Sequence, residues 1–359
     1  MRRFFVVFLC ILLISGCSVS RKILDDITLV TFVGYDLAEN DEEIEATIAV
    51  PIFEAQGNIR NEFFTSTGEF GKDLEKNFML NTPKPLGNGK LEVTVFGTKF
   101  AEKGIKEPLD VAQRDPSISS NLKLAVYDGK VKEFTELQNV QNQDLGIYVS
   151  KIIEQNIMTE TIPRTNIHLF FQSFYAEGMD PFLPLFTIQN GKIKMKGLAL
   201  FKGDKFVDEI DEDNIYRFTM LRHPISNGQL IIKLKEMNAG VSMAHIASKR
   251  YMNISGTMEA PEIKLNLKLK GVINEFYGDV KGIEKRITKL EKAINKQVTE
   301  ELEEMIRSFQ EQGIDPVGFG KSTKAHIRNW DKKKWQEIYP DLDIKVAVKA
   351  DILESGVTR

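Results

Sequence analysis

Apolar and polar residues alternate through many short stretches of this chain, and longer helical periods separate them. Ile27 to Val33 reads as a first strand. Gly34 to Asp41 reads as the turn region after it, and Ile44 to Val50 as a paired strand. Phe70 to Leu80 has helical spacing. Leu91 to Phe96 alternates again, a short helix is expected at Leu109 to Gln113, and Leu122 to Tyr127 is a strand stopped by Asp128-Gly129. Leu145 to Met158 and Ile167 to Tyr175 return to the period of helices. A break is expected at Gln189-Asn190-Gly191. Beyond it, Ile193 to Phe201 is a strand and Lys202 to Lys205 a hairpin turn. A short helix at Ile215 to Leu221 leads to strands at Leu230 to Leu234, Val241 to Ser248 and Glu262 to Leu269.

The longest amphipathic period runs from Ile283 to Gln312. Ile283, Ile287, Leu290, Ile294, Val298, Leu302, Met305 and Phe309 recur every three or four residues, and Gly313 stops the helix. Its first half is mostly basic, with Lys281, Lys285, Arg286, Lys289, Lys292 and Lys296. Its second half is mostly acidic, with Glu300, Glu301, Glu303, Glu304 and Glu311. That order opposes the helix macrodipole. The charges are either merely solvated, or the basic half faces anionic head groups or a partner. A further helix is expected over Thr323 to Ile338, with Trp335 as a core anchor and Trp330 too far along to share its face. An alternating strand from Leu342 to Leu353 ends the pattern.

Strands interspersed with helices, without a strict strand–helix–strand rhythm, predict an α+β class. The expectation is several domains, three in all, with mixed or antiparallel sheets flanked by helices. The expected divisions are a signal segment at 1–16, an N-terminal α+β region at 17–190 in two subdomains, and a C-terminal α+β region at 191–359.

The N-terminus changes the picture. Met1-Arg2-Arg3 is cationic, and Phe4 to Ile14 is apolar and uncharged. That run is shorter than the roughly 20 residues a bilayer-spanning helix needs, and it has the flanks of a signal-peptide core. It ends in Ile14-Ser15-Gly16-Cys17, a lipobox: a branched apolar residue, two small residues, and a cysteine for a diacylglyceryl thioether. The chain has two cysteines. Cys10 lies within the signal, so Cys17 alone remains after cleavage, with no disulfide partner. Two acyl chains give stable anchoring where one gives marginal binding. Loss of Arg2 and Arg3 takes the formal net charge from −3 to −5. A mildly acidic body argues against nucleic acid as the main partner.

Catalytic patterns are missing. His168, His223, His245 and His326 have no metal-ligand spacing, so no metal or cofactor site is expected beyond the covalent lipid. His168 reads as a partly buried packing residue. No Gly-x-Ser-x-Gly elbow is present. Gly318-Phe-Gly-Lys-Ser-Thr323 approaches a phosphate loop, but Asp315 stands where the first glycine belongs and the segment follows a helix. No nucleotide is expected there.

Several segments in one order resemble the Ger(x)C family, the lipoprotein C subunits of GerA-type spore germinant receptors. They are the lipobox and the strand ending in Gly34-Tyr-Asp36, then Leu109-Asp-Val-Ala-Gln-Arg-Asp-Pro116. Next come the hairpin Lys196-Gly-Leu-Ala-Leu-Phe-Lys-Gly-Asp-Lys205 and Gly313-Ile-Asp-Pro-Val-Gly-Phe-Gly320, followed by Trp330 and Trp335. The stretch before Leu91 lacks the family's fuller glycine-rich segment, and Val207-Asp208 stands where Val/Leu-Gly is common. The resemblance implies a non-enzymatic structural or coupling subunit beside integral membrane A and B subunits. It implies a lipid anchor on the outer face of the spore inner membrane. Two other classes stay open: a solute-binding lipoprotein of a transporter, and a cell-envelope hydrolase for which no nucleophile, base or metal set is evident.

Overall fold

The computed structural model describes residues 26–137, 142–235, 239–277 and 287–355. The signal segment with Cys17, and the expected start of the long helix at Ile283 to Arg286, lie outside the described residues.

In chain order the elements are β1 (Thr28–Leu29), β2 (Phe32–Leu37), β3 (Ile44–Phe53), β4 (Ile59–Gly68), α1 (Gly71–Asn81), β5 (Leu86–Gly87) and β6 (Val93–Gly97). Then come α2 (Thr98–Lys103), α3 (Lys106–Arg114), β7 (Lys123–Tyr127), a 3-10 helix at Val131–Glu136, α4 (Leu145–Met158) and α5 (Ile167–Tyr175). The chain continues with β8 (Phe182–Gln189), β9 (Lys192–Lys202), β10 (Lys205–Asp211), α6 (Ile215–Arg222), β11 (Gly228–Leu234), β12 (Ala239–Gly256) and β13 (Pro261–Tyr277). It closes with α7 (Ile287–Gln312), α8 (Phe319–His326), α9 (Lys332–Ile338) and β14 (Ile344–Ser355).

An eight-stranded sheet has the order β10-β9-β8-β7-β6-β2-β3-β4. Its middle strands β2, β6, β7 and β8 run parallel, and antiparallel hairpins flank them. Helices cover both faces, so β6 and β7 are buried along their whole length. Even Lys123 is buried there, with its ammonium 3.6 Å from Glu154. One face packs Phe96, Leu124, Val126 and Phe201 under α1, α2, α3 and α5. The other packs Phe32, Val93 and Val95 on Leu145, Val149 and Ile153 of α4. That core continues through Phe182, Phe218 and Phe309, with ring centroids 5.2 and 6.1 Å apart, into a second sheet of order β11-β12-β13-β14. The α+β pattern read from the sequence, with mixed sheets, flanking helices and a long C-terminal helix, is the architecture found.

The Asn190-Gly191 turn, both residues at positive φ, is a two-residue hairpin that pairs Gln189 with Lys192. Strands from both sides of residue 190 therefore belong to one sheet. Gly34-Tyr35-Asp36 also departs from expectation: it lies inside β2, and the turn comes after Leu37. The expected helix over Thr323 to Ile338 is two helices. Asn329 takes a left-handed conformation between them, and Asp331 caps α9 by accepting from Lys334 N–H at 2.7 Å. Trp330 thus lies outside the helix and folds back until its ring sits 5.4 Å from Trp335. His168 is exposed, not packed.

Helix α7 buries Leu290, Ile294, Val298, Leu302, Ile306 and Phe309. At about 1.5–3 kcal/mol per fully buried large side chain, this outweighs its unfavourable charge order. The helix also runs beside β14, an edge strand. Backbone N–H groups of Val346, Ala350 and Ile352 donate to Glu303 at 3.2 Å, Asn295 at 2.6 Å and Glu291 at 3.1 Å. Polar side chains on the helix thereby cover an edge that would otherwise template pairing with another chain.

Candidate functional site

Two of the segments singled out in the sequence meet at a pair of carboxylates, Asp180 and Asp315. Asp180, just before β8, is half-buried. Its Oδ1 accepts from Gly203 N–H of the β9–β10 turn at 3.1 Å, and its Oδ2 accepts from Asp315 N–H at 2.8 Å. Asp180 N–H in turn donates to Asp315 O at 2.9 Å. The Lys196–Lys205 hairpin and the Gly313–Gly320 segment thus meet through one side chain that no sequence motif flagged.

Asp315 is 3% exposed. Its Oδ1 accepts from Gly318 N–H at 2.7 Å and Phe319 N–H at 2.9 Å, and its Oδ2 accepts from Gly320 N–H at 2.7 Å. These are the free donors at the start of α8, where a bound phosphate would sit in a nucleotide site. The carboxylate fills that place from within. Burial pushes its pKa up to about 7, against the pull of the three N–H groups and with added repulsion from Asp180. Burial likewise raises Asp180.

Cationic and aromatic side chains enclose the pair. Arg222 donates to Pro316 O at 2.5 Å and lies 5.4 Å over the Phe182 ring. Burial brings its guanidinium down to about 10. Gly320 packs so closely that a Cβ there would stand 2.5 Å from Trp335 Nε1 and 2.7 Å from Gly178 Cα. Trp330 Nε1 and Lys324 Nζ both donate to Glu177, at 3.0 and 2.6 Å.

The other motif carboxylates do the same work. Asp36 accepts from Val131 N–H at 2.9 Å and Lys132 N–H at 3.1 Å, capping the 3-10 helix. Burial raises its pKa to about 6. Gly34 is required because any side chain there would strike Val131. Asp204 accepts from Lys106 N–H at 3.2 Å at the start of α3. Asp115 accepts from Ser117 N–H at 2.9 Å, Ser117 Oγ at 2.7 Å and Asn88 Nδ2 at 3.1 Å. Each carboxylate accepts from donors that are mostly backbone N–H groups; Asp36, Asp180 and Asp204 reach across long stretches of chain, while Asp115 and Asp315 bond close by. Among the described residues, no group of three or more His, Cys, Asp or Glu converges as a metal site, and no helix is long and apolar enough to cross a membrane.

Residues 20–188 match the family described as spore germination protein N-terminal domain. Residues 196–356 match the family described as spore germination B3/GerAC-like, C-terminal. The chain belongs to the Ger(x)C family of spore germination proteins. It is 27% identical to spore germination protein GerQC of Bacillus cereus over the whole of both chains. It is 21% identical to putative spore germination protein YfkR of Bacillus subtilis (strain 168), over 82% of this chain and 78% of that one. A solved structure, that of the GerBC protein, matches with a TM-score of 0.55 at 17% identity, covering 89% of this chain and 96% of GerBC. That likeness carries the fold. Within this Ger(x)C chain, the Asp180–Asp315 junction adds a polar tie between the two family-matched regions, beside the β8–β9 pairing and the Phe182–Phe218 contact.

Proposed function

We propose that this chain is a lipid-anchored, non-enzymatic C-type subunit of a spore germinant receptor. In this reading Cys17 carries a diacylglyceryl thioether after cleavage behind Ile14-Ser15-Gly16. The folded body then sits on the outer face of the spore inner membrane, beside integral membrane A and B subunits. The observation that carries it is the family match, which spans nearly the whole chain in two successive regions. The structure supports a coupling role over catalysis. Asp36, Asp180 and Asp315 are taken up by backbone donors that set helix and turn starts, and Asp180 and Asp204 bond across the two regions. Few residues of sequence separate Cys17 from β1, so an anchored body would lie close to the membrane.

Mass spectrometry of the N-terminal peptide from cell membranes tests the anchor. The reading expects a peptide that begins at Cys17 and bears two or three acyl chains. An unmodified Cys17, or a mature end elsewhere, contradicts it.

A further inference from the structure

We propose that the cleft between α1, α3 and the large sheet binds a small apolar amine, with its hydrocarbon inside and its ammonium at the mouth. The inference stands apart from the receptor role. The cleft has a volume of about 190 Å³. An apolar cavity of about 150 Å³ is already enough to take up benzene. Side chains from the sheet, among them Val33 and Ile48, form the floor; Leu74 and Phe78 of α1 and Leu109 and Ala112 of α3 form the walls.

Features of the cleft point to a ligand and not to a packing gap. Met79 and Val111 line it yet remain 57% and 54% exposed, so its apolar surface opens to solvent instead of closing. Exposed apolar surface gathered at a cleft, as here, is what marks a ligand-binding groove. Tyr35 and Thr94, each with a hydroxyl, are among the lining residues. Surrounding protein pushes the Tyr35 phenol up to about 12, so it stays a neutral donor.

Charge selects the class. Glu75, Glu107 and Asp115 line the cleft, and none of its lining residues is Lys, Arg or His. Burial works against ionisation of Asp115, but hydrogen bonds from Ser117 and Asn88 outweigh it and hold the carboxyl below its ordinary range. A ligand carboxylate would meet only like charge. An ammonium would meet partners while its apolar body fills the cleft.

The test uses the full-length chain in lipid nanodiscs, with titration calorimetry against empty nanodiscs. The probes are 2-phenylethylamine, 2-phenylethanol and 3-phenylpropionate, alike in shape but differing in charge. The amine is expected to bind about tenfold more tightly than the carboxylate, the size of a weak solvent-screened charge contact. Glu75→Gln with Glu107→Gln should narrow that gap without weakening the alcohol. Ala112→Phe fills the cleft and should abolish binding of all three. If that variant does not fold, Val111→Lys, at an exposed rim position, should shift preference toward the carboxylate. No saturable heat with the amine, equal affinity for all three probes, or binding unmoved by Val111→Lys would overturn the proposal.

Discussion

Replacing Asp315 with alanine is the sharpest test of how the start of α8 is held. The change removes the acceptor of three buried N–H groups, at 2.7, 2.9 and 2.7 Å. A buried donor left without a partner costs about 1–3 kcal/mol. Three would cost about 3–9 kcal/mol, but two effects reduce this. The variant no longer buries a carboxylate that burial disfavours, and water can enter the space left behind. A net loss of about 3–5 kcal/mol follows, a large part of the 5–15 kcal/mol that typically holds a domain. Urea unfolding of the mature chain without lipid, followed by circular dichroism, measures it. Asp315→Asn should fall between the two, since its carbonyl still serves Gly318 and Phe319 while its amide faces the Gly320 N–H. A loss below about 1 kcal/mol for the alanine variant would refute the reasoning, because the donors would then have found other partners at little cost.

Further outcomes follow from the same contacts. Burial raises Asp36 to about 6 and Asp315 to about 7, so the folded state holds these protons more tightly than the unfolded chain. Their stabilising effect is full below the ordinary carboxylate range and is lost as pH rises through 6 to 7. The urea midpoint should therefore fall between pH 5 and pH 8, and Asp315→Asn should flatten that slope; a midpoint that rises would contradict the assignment. Gly320→Ala places a Cβ against Trp335 and Gly178 and should cost about 1–3 kcal/mol, read as a lower melting temperature with reduced near-ultraviolet dichroism. Glu291→Ala, Asn295→Ala and Glu303→Ala together should uncover β14 and cause concentration-dependent association in light scattering. A monodisperse triple variant would show that the edge needs no cover.

Local signals made much of the fold legible. Helices α4 and α5 lie where the pattern places them because each has a side-chain cap at its start. Asp144 accepts from Ile147 N–H at 3.2 Å, and Asn166 from Leu169 N–H at 2.8 Å. The same signal at Asp331 marks the start of α9, and with Asn329 it would have divided the segment after Thr323 in two. Gly34 misleads for a different reason. Glycine usually signals a turn, but here it makes room inside a strand for Val131, a contact between residues far apart in sequence. The Asp180 junction was hidden for the same cause: its partners, Gly203 and Asp315, come from later elements, and nothing near Asp180 in the chain announces them. The cleft under α1 and α3 likewise exists only after two helices settle on one sheet face. Asp315 was noticed in the sequence as the residue that spoils a phosphate loop. The structure adds the reason, since its carboxylate takes the donors that a phosphate would need.

The central claim is membership of a membrane-bound receptor, and recovery of this chain with its partners from spore membranes tests it most directly. An epitope-tagged chain, gently solubilised and isolated, should bring down two integral membrane proteins in constant proportion, and Cys17→Ala should abolish the recovery. Isolation of the chain alone, or with the permease and ATPase of a transporter, would contradict the account.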